Sequence, residues 1–351
     1  MPDVEFAHGL VLGKFYPLHS GHSNLIRTAL RSCETVTVQL LGASVESIPL
    51  ETRAEWIRRE HPTARLVTAI DDAEVDFDSP IAWDEHMLVI EGLLHEPVDA
   101  VFSSDEYGRE LARRLDAQWV QVDPGRVANP VSGTAVRADV DANWSQLPVS
   151  VRESLVQRVV VLGAESTGST TLAEALALDL GTLWVAEYGR EYSAIRAGGL
   201  DAPWRSDEFH LIVDRQQAME RAAARCSPRS VIVCDTDVLA TGLWHERYVG
   251  RTDPGIGVRA AQHPPLIYLL TGDEIPFVQD GMRDGEHIRS GMQQRFRDEL
   301  AAQPVAWIEV RGSVAERVAA ARPAIAAALA AAQTFAEPLE ARATAVDTLG
   351  R

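Results

Sequence analysis

The sequence predicts an α/β protein with two doubly wound parallel-sheet domains, on three observations. Short apolar runs alternate with amphipathic stretches along the chain. A glycine-containing turn follows the first apolar run of each half. The 351 residues, 46% of them hydrophobic, suffice for two cores. In the first half the runs are "GLVLG" at 9–13, "TVTVQLLG" at 35–42, "ARLVTAI" at 64–70, "DAVFSS" at 99–104 and "QWVQVD" at 118–123. Between them, "SGHSNLIRTALRSC" and "IAWDEHMLVIEGLLHE" repeat apolar residues every three or four positions, the spacing of a helix with one buried face. Strands separated by helices in this way form βαβ units. The second half repeats the rhythm with "RVVVLG" at 158–163, "SVIVCD" at 230–235, "PPLIYLL" at 264–270 and "VAWIEV" at 305–310. Domains are expected over residues 1–148 and 156–335, joined in "NWSQLPVSVRESLVQ" at 143–157, where a proline and polar residues interrupt the apolar rhythm. An alanine-rich closing helix is expected to break at Pro323, with a loose tail after it.

Charge and cysteine usage narrow the function classes. A net charge of −18 argues against a general nucleic-acid grip, while leaving room for one basic pocket that binds small anions. Cys33, Cys226 and Cys234 are widely spaced and odd in number, so they read as buried thiols in a reducing compartment. No signal peptide opens the chain and no apolar run reaches membrane-spanning length, so the sequence points to the cytoplasm. Homo-oligomerisation stays open. Lys14 is the single lysine among 33 basic residues, which marks it as a position where arginine does not serve.

Lys14 stands in "GKFYPLHSGHSNLI", directly after the first strand. His19 and His22 are three apart at the expected start of a helix, so both imidazoles share a face beside free backbone N–H groups. Gly21 keeps the space between them clear, Pro17 stiffens the turn, and Lys14 adds a charge, which together suit a polyphosphate. The competing readings are a structural histidine pair or a metal site. A second stretch, "NPVSGTAVRAD" at 129–139, supplies Ser132 as a helix cap, Gly133 and Thr134 as donors, and Arg137 within reach of a phosphate. Taken alone it is an ordinary capped helix. Ser103 and Ser104 in "FSSDEYG" either line a nucleotide pocket or cap the helix after Asp105. Trp83 reads as core before it reads as a stacking platform.

In the second half, "GAESTGSTT" places Gly163 and Gly168 at the spacing of a phosphate-binding loop between a strand and a helix. Glu165, Ser166, Thr167, Gly168, Ser169, Thr170 and Thr171 would form the cradle. Ser169 occupies the position of the usual lysine and Thr170 that of the Mg²⁺ ligand. The backbone cradle and helix dipole do not depend on the lysine, but the charge that reaches the outer phosphates is lost. Arg190 in "AEYGREY" and Arg283 in "VQDGMRDGEHIR" are the candidate replacements. Asp235 and Asp237 in "VIVCDTD" sit at a strand end, where an aspartate holds Mg²⁺ through water; both also fit helix caps. Glu187 fits either a solvated helix start or a carboxylate that takes a proton from an acceptor hydroxyl.

The pairing of "HSGH" after the first strand with "SGTAVR" after the last resembles the HxGH nucleotidyltransferase superfamily, with its Rossmann-like fold. Fusion to a P-loop kinase-like domain carrying "EYGREY", "DTD" and "QDGMR" resembles the NadR family over residues 8–330. Members of that family are bifunctional nicotinamide-mononucleotide adenylyltransferases and ribosylnicotinamide kinases. The resemblance implies that the first domain joins ATP and nicotinamide mononucleotide into NAD and pyrophosphate, and that the second phosphorylates nicotinamide riboside with ATP and Mg²⁺. It implies that His19 and His22 contact the ATP phosphates, with Lys14, Arg137, Ser132 and Thr134 on the remaining oxygens and Gly13, Phe15, Gly21, Ser103 and Ser104 around the nucleotide. Ser169 departs from the family and leaves a second reading open: an adenylyltransferase whose second domain senses nucleotide without turning it over. Phosphopantetheine is a third reading for the acceptor. The helix-turn-helix repressor domain of some members is not expected, since the first strand begins near residue 9.

Overall fold

In this computed structural model, which describes residues 4–279, 281 and 285–339, β1 (Phe6–Gly13) lies at the centre of a five-stranded sheet. Leu10 and Val11 are fully buried, as a strand covered by helices on both faces must be. The chain continues through α1 (Ser20–Ser32), β2 (Cys33–Gly42), α2 (Leu50–Glu60), β3 (Arg65–Ile70), α3 (Pro80–Gly92), β4 (Ala100–Ser103), α4 (Tyr107–Arg114), β5 (Gln118–Gln121), α5 (Gly133–Ala138) and α6 (Val149–Leu155). All strand pairs are parallel and the order is β3-β2-β1-β4-β5. Winding therefore reverses between β1 and β4, where such sheets open a crevice at the carboxyl ends of their strands.

The second sheet follows the same logic. β6 (Gln157–Leu162), α7 (Ser169–Leu180), β7 (Trp184–Val185), α8 (Tyr188–Ile195), α9 (Ser206–Cys226), β8 (Val231–Asp235), α10 (Val238–Val249), α11 (Pro254–Gln262), β9 (Ile267–Thr271), α12 (Glu286–Ala302), β10 (Trp307–Val310) and α13 (Val314–Ala332) form a parallel sheet ordered β10-β9-β6-β8-β7. Two apolar layers cover it. Leu172 and Leu176 of α7 pack with Ile325 of α13 on one face, and Phe296 of α12 packs with Leu243 of α10 on the other.

The chain divides into one unit that runs through Val151 and resumes at Thr334, and a second from Arg152 to Gln333. The residues from Thr334 that the structure describes pack on the first unit. There the Tyr16 hydroxyl donates to the Ala336 carbonyl (3.0 Å), the Ala336 N–H donates to Ser47 Oγ (3.1 Å), and Phe335 meets the Tyr16 ring edge-on.

Two expectations are corrected, and one strand is unforeseen. The closing helix runs unbroken through Pro323, because buried Ala321 and Ile325 on either side anchor both halves to the sheet. Cys33 and Cys234 are buried, but Cys226 ends α9 and is exposed. β7 was not anticipated, because two residues are too few to carry an alternation pattern. The loose tail expected over the last dozen residues lies outside the described residues. Among the described residues, no helix is long and apolar enough to cross a membrane.

Candidate functional site

In the first unit, a cavity of about 300 Å³ opens at the crevice beyond β1 and β4. It gathers Gly13, Lys14, Phe15, His19, Gly21 and His22 from the first motif, Ser104 from the end of β4, and Ser132, Gly133, Thr134 and Arg137 from the second motif. His19 caps α1: its Nδ1 accepts the His22 backbone N–H at 3.4 Å, which puts the proton of a neutral ring on Nε2. The two imidazoles stack with centroids 3.7 Å apart. A Cβ on residue 21 would lie 3.1 Å from the His19 ring, so Gly21 makes room for that ring as well as for a ligand. Burial, then the nearby Arg126, lowers His19 to about 4; burial, His19 and Arg126 hold His22 well below the usual imidazole range. Both are neutral at pH 7, and among the described residues the buried His22 Nδ1 has no hydrogen-bond partner.

The second motif reaches the first through the backbone. Arg137 donates to the Tyr16 carbonyl at 2.7 Å and lies over the Tyr16 ring. A Cβ on Gly133 would stand 2.8 Å from that same carbonyl, so only glycine permits the approach. Lys14 is fixed at both ends. Its carbonyl accepts Arg53 Nη1 at 2.9 Å, and its ammonium stands 3.9 Å from Glu46, which itself pairs with the buried Arg53 at 2.6 Å.

One wall of the cavity is the loop between β3 and α3. His86 holds it, facing Asp71 Oδ2 at 2.6 Å and the Glu74 carbonyl at 3.1 Å. Trp83 Nε1 donates to the Phe77 carbonyl at 3.0 Å, so Trp83 is core and wall at once. Phe77 stacks on Tyr107. Ser103 is buried behind the wall: its hydroxyl donates to the Asp105 carbonyl and accepts Trp119 Nε1, and it does not line the cavity. Arg126 escaped the sequence reading. It lines the cavity beside both histidines, held at Asp105 by a 2.9 Å ion pair, and its φ of 55° is the available signal: "DPGR" is a turn that a bulky residue enters only under constraint.

In the second unit, a cavity of about 440 Å³ lies over the loop that leaves β6. Gly163, Glu165, Ser166, Gly168, Ser169, Thr170 and Thr171 line it together with Glu187, Arg190 and Asp235. Ser166 (φ 61°) and Gly168 (φ 85°) turn the loop in the left-handed region. Thr167 points the other way, fully buried, with its hydroxyl donating to the Ala164 carbonyl. The Thr170 hydroxyl stands 2.5 Å from Asp235 Oδ2, and Ser169 also hydrogen-bonds that carboxylate. A hydroxyl and a carboxylate on adjoining elements are the hard oxygen donors that Mg²⁺ takes, so the residues fit the ion.

Burial raises Asp235 above the usual carboxylate range against the pull of both hydroxyls and of Arg190. Burial, then Asp235, pushes Glu187 up to about 8, with Arg190 opposing. Asp237 sits behind the cavity: Oδ1 caps α10 through the Ala240 N–H (3.1 Å) and Oδ2 accepts the Tyr268 hydroxyl (2.8 Å), so its carboxylate is spent on the fold. Arg283 lies outside the described residues. Sequence reading also missed an aromatic wall opposite the loop, made by Trp204, Phe209, Trp244 and Tyr248. These rings come from α9, α10 and the segment before α9, and no linear spacing joins them.

Comparison with known proteins agrees with this layout. A family model described as an AAA domain matches residues 158–317. The chain is 26% identical over 293 residues to the trifunctional NAD biosynthesis/regulator protein NadR of Escherichia coli strain K12, covering 78% of this chain and 71% of that protein. It is 25% identical over 324 residues to the protein of the same name from Salmonella typhimurium strain LT2, covering 86% and 78%. Among solved structures, a NadR protein in complex with NR superposes with a TM-score of 0.67 at 20% identity, over 87% of this chain and 90% of that one. A NadR protein in complex with NAD and AMP-PNP gives 0.66 at 19%, over 92% and 96%. At these identities the solved structures bear on the fold, and the curated relatives bear on the sequence across both units. By its sequence over most of its length, the chain resembles the NadR family, as its motifs indicate.

Proposed function

We infer that the chain makes NAD in two steps, phosphorylating nicotinamide riboside in the second unit and adenylylating nicotinamide mononucleotide in the first. The observation that carries the reading is the convergence of "HSGH" and "SGTAVR" in one cavity, with Lys14, Arg126 and Arg137 as its cations. In that cavity the phosphate of the mononucleotide attacks the α-phosphorus of ATP and pyrophosphate leaves. The residues need only hold two anions in line and answer the growing negative charge. His19 donates from Nε2 as a neutral ring, with His22 stacked beside it. The three cations share the remaining phosphate oxygens, and the wall of Phe77 and Tyr107 offers the acceptor base a flat face.

In the second unit the loop cradles the ATP phosphates through backbone N–H groups. Thr170 and Asp235 would hold Mg²⁺, which when bound neutralises charge on the phosphates. Glu187 takes the proton of the riboside hydroxyl in its ionised form, which its raised pKa of about 8 makes the minor form at neutral pH; Arg190 faces the transferred group, and the aromatic wall receives the nicotinamide ring. A specific observation favours a second reading for this unit: Ser169 turns its hydroxyl to Asp235 and brings no charge, as in a domain that binds nucleotide without turnover.

The test is product analysis by mass after incubation with ATP and Mg²⁺ plus either nicotinamide riboside or nicotinamide mononucleotide. NAD from both supports two active sites. NAD from the mononucleotide alone supports the sensing reading, and NAD from neither sinks the proposal.

A further inference from the structure

The loop of the second unit lacks its lysine, yet a buried guanidinium that pairs with no carboxylate among the described residues touches it from behind. Arg289, in the first turn of α12, is 6% exposed. Its Nη1 donates to the Ile275 carbonyl at 2.8 Å and its Nη2 to the Ser166 carbonyl at 2.9 Å. Among the described residues, Nε has no hydrogen-bond partner and no carboxylate forms an ion pair with this side chain. One turn on, Gln293 extends the same contact, accepting the Ala164 N–H at 3.1 Å and donating to the Thr271 carbonyl at 2.7 Å. The neighbouring Arg317 makes the contrast: it donates to the Thr167 carbonyl at 2.6 Å, but Glu274 neutralises it at 2.8 Å.

Burying a guanidinium costs several kcal/mol unless an anion answers it, and arginines this buried are nearly always paired. Two carbonyl dipoles answer it only in part. Ser166, whose carbonyl Arg289 holds, lines the cavity on its other side, so a phosphate in the cradle would lie one peptide unit from the unanswered charge. Because the guanidinium is buried, its attraction acts through the loop with less screening than between two surface charges.

We propose that Arg289 supplies the positive charge missing at Ser169, as a positioning residue whose counter-ion is the phosphate chain of a nucleoside triphosphate held in the loop. It holds the Ser166 carbonyl away from the cradle, which keeps that oxygen from facing the phosphates, and it offsets their charge without touching them. The proposal rests on the reading of this cavity as a nucleotide site.

The experiment is a double-substitution cycle on the full chain, measuring the Kd of AMP-PNP with Mg²⁺ for wild-type, Arg289→Gln, Ser169→Lys and the double variant. Arg289→Gln is expected to weaken binding at least about tenfold, and no more than about threefold once Ser169→Lys has restored a direct cation, because the two charges serve the same phosphates. Equal losses in both backgrounds would overturn the proposal and leave Arg289 a structural clamp. Should Arg289→Gln fail to fold, Arg289→Lys carries the cycle. It keeps the charge and gives up a carbonyl bond, so binding within about threefold of wild-type supports the charge role, and a tenfold loss in both backgrounds overturns it. Absence of AMP-PNP binding by the unsubstituted chain is a different failure: it removes the nucleotide reading before any variant is compared.

Discussion

Lys14 is gripped at its carbonyl by Arg53 and faces Glu46 with its ammonium, so its reach into the cavity is set by a short, unbranched stem. A planar guanidinium is longer and would be drawn into the Glu46–Arg53 pair. Lys14→Arg should therefore lower kcat/KM for NAD formation from nicotinamide mononucleotide by at least about tenfold at unchanged net charge. His19 gives a pH prediction. Its folded pKa of about 4 lies below the ordinary imidazole value of 6.5, so between those limits the unfolded chain binds more protons and stability falls as pH drops. Above the ordinary value the ring contributes nothing. Melting temperatures from pH 7 to 4 should decline less steeply for His19→Asn, which still caps α1, than for wild-type.

At the scale of elements, the wall between β3 and α3 hangs on His86, which faces an acceptor at each ring nitrogen and so donates to both when it is protonated. The hydrogen bond to Asp71 leads in raising its pKa, with burial and Lys14 opposing. Its contribution is complete below the ordinary imidazole value and is lost as pH rises through the raised one. Amide exchange across residues 72–78 should accelerate beyond its intrinsic pH dependence in that window, and His86→Gln should remove the excess. The strand rhythm and the two phosphate motifs were legible because each is written in neighbouring residues. Arg289, Arg317 and the ring wall of Trp204, Phe209, Trp244 and Tyr248 were not, since folding alone brings them to their sites. Asp237 and Ser103 misled for a related reason: a hydroxyl or carboxylate at a strand end serves ligand or fold equally well in sequence, and only their partners decide. Pro323 misled because its local rule was outweighed by the packing of Ala321 and Ile325.

For the whole molecule, the clasp on Tyr16 ties residues beyond α13 to the first cavity. Ala336 and Ser47 together hold the Tyr16 hydroxyl, Tyr16 fixes Arg137 through its carbonyl and ring, and Arg137 lines the site. Ending the chain after Gln333 removes two hydrogen bonds and a ring contact and should weaken NAD formation from nicotinamide mononucleotide several-fold, and Tyr16→Phe should reproduce much of that loss. An undiminished rate in both would mean that Arg137 needs no such support.

The clasp also orders events in time. Translation delivers residues in sequence, so the sheet around β1 can assemble while the P-loop unit is still unwritten, but Phe335 and Ala336 emerge only after all of that unit has been made. A ribosome that stalls within the second unit leaves a first unit with its strands in place and its clasp missing. The finished clasp is in effect a record that the second unit was read through.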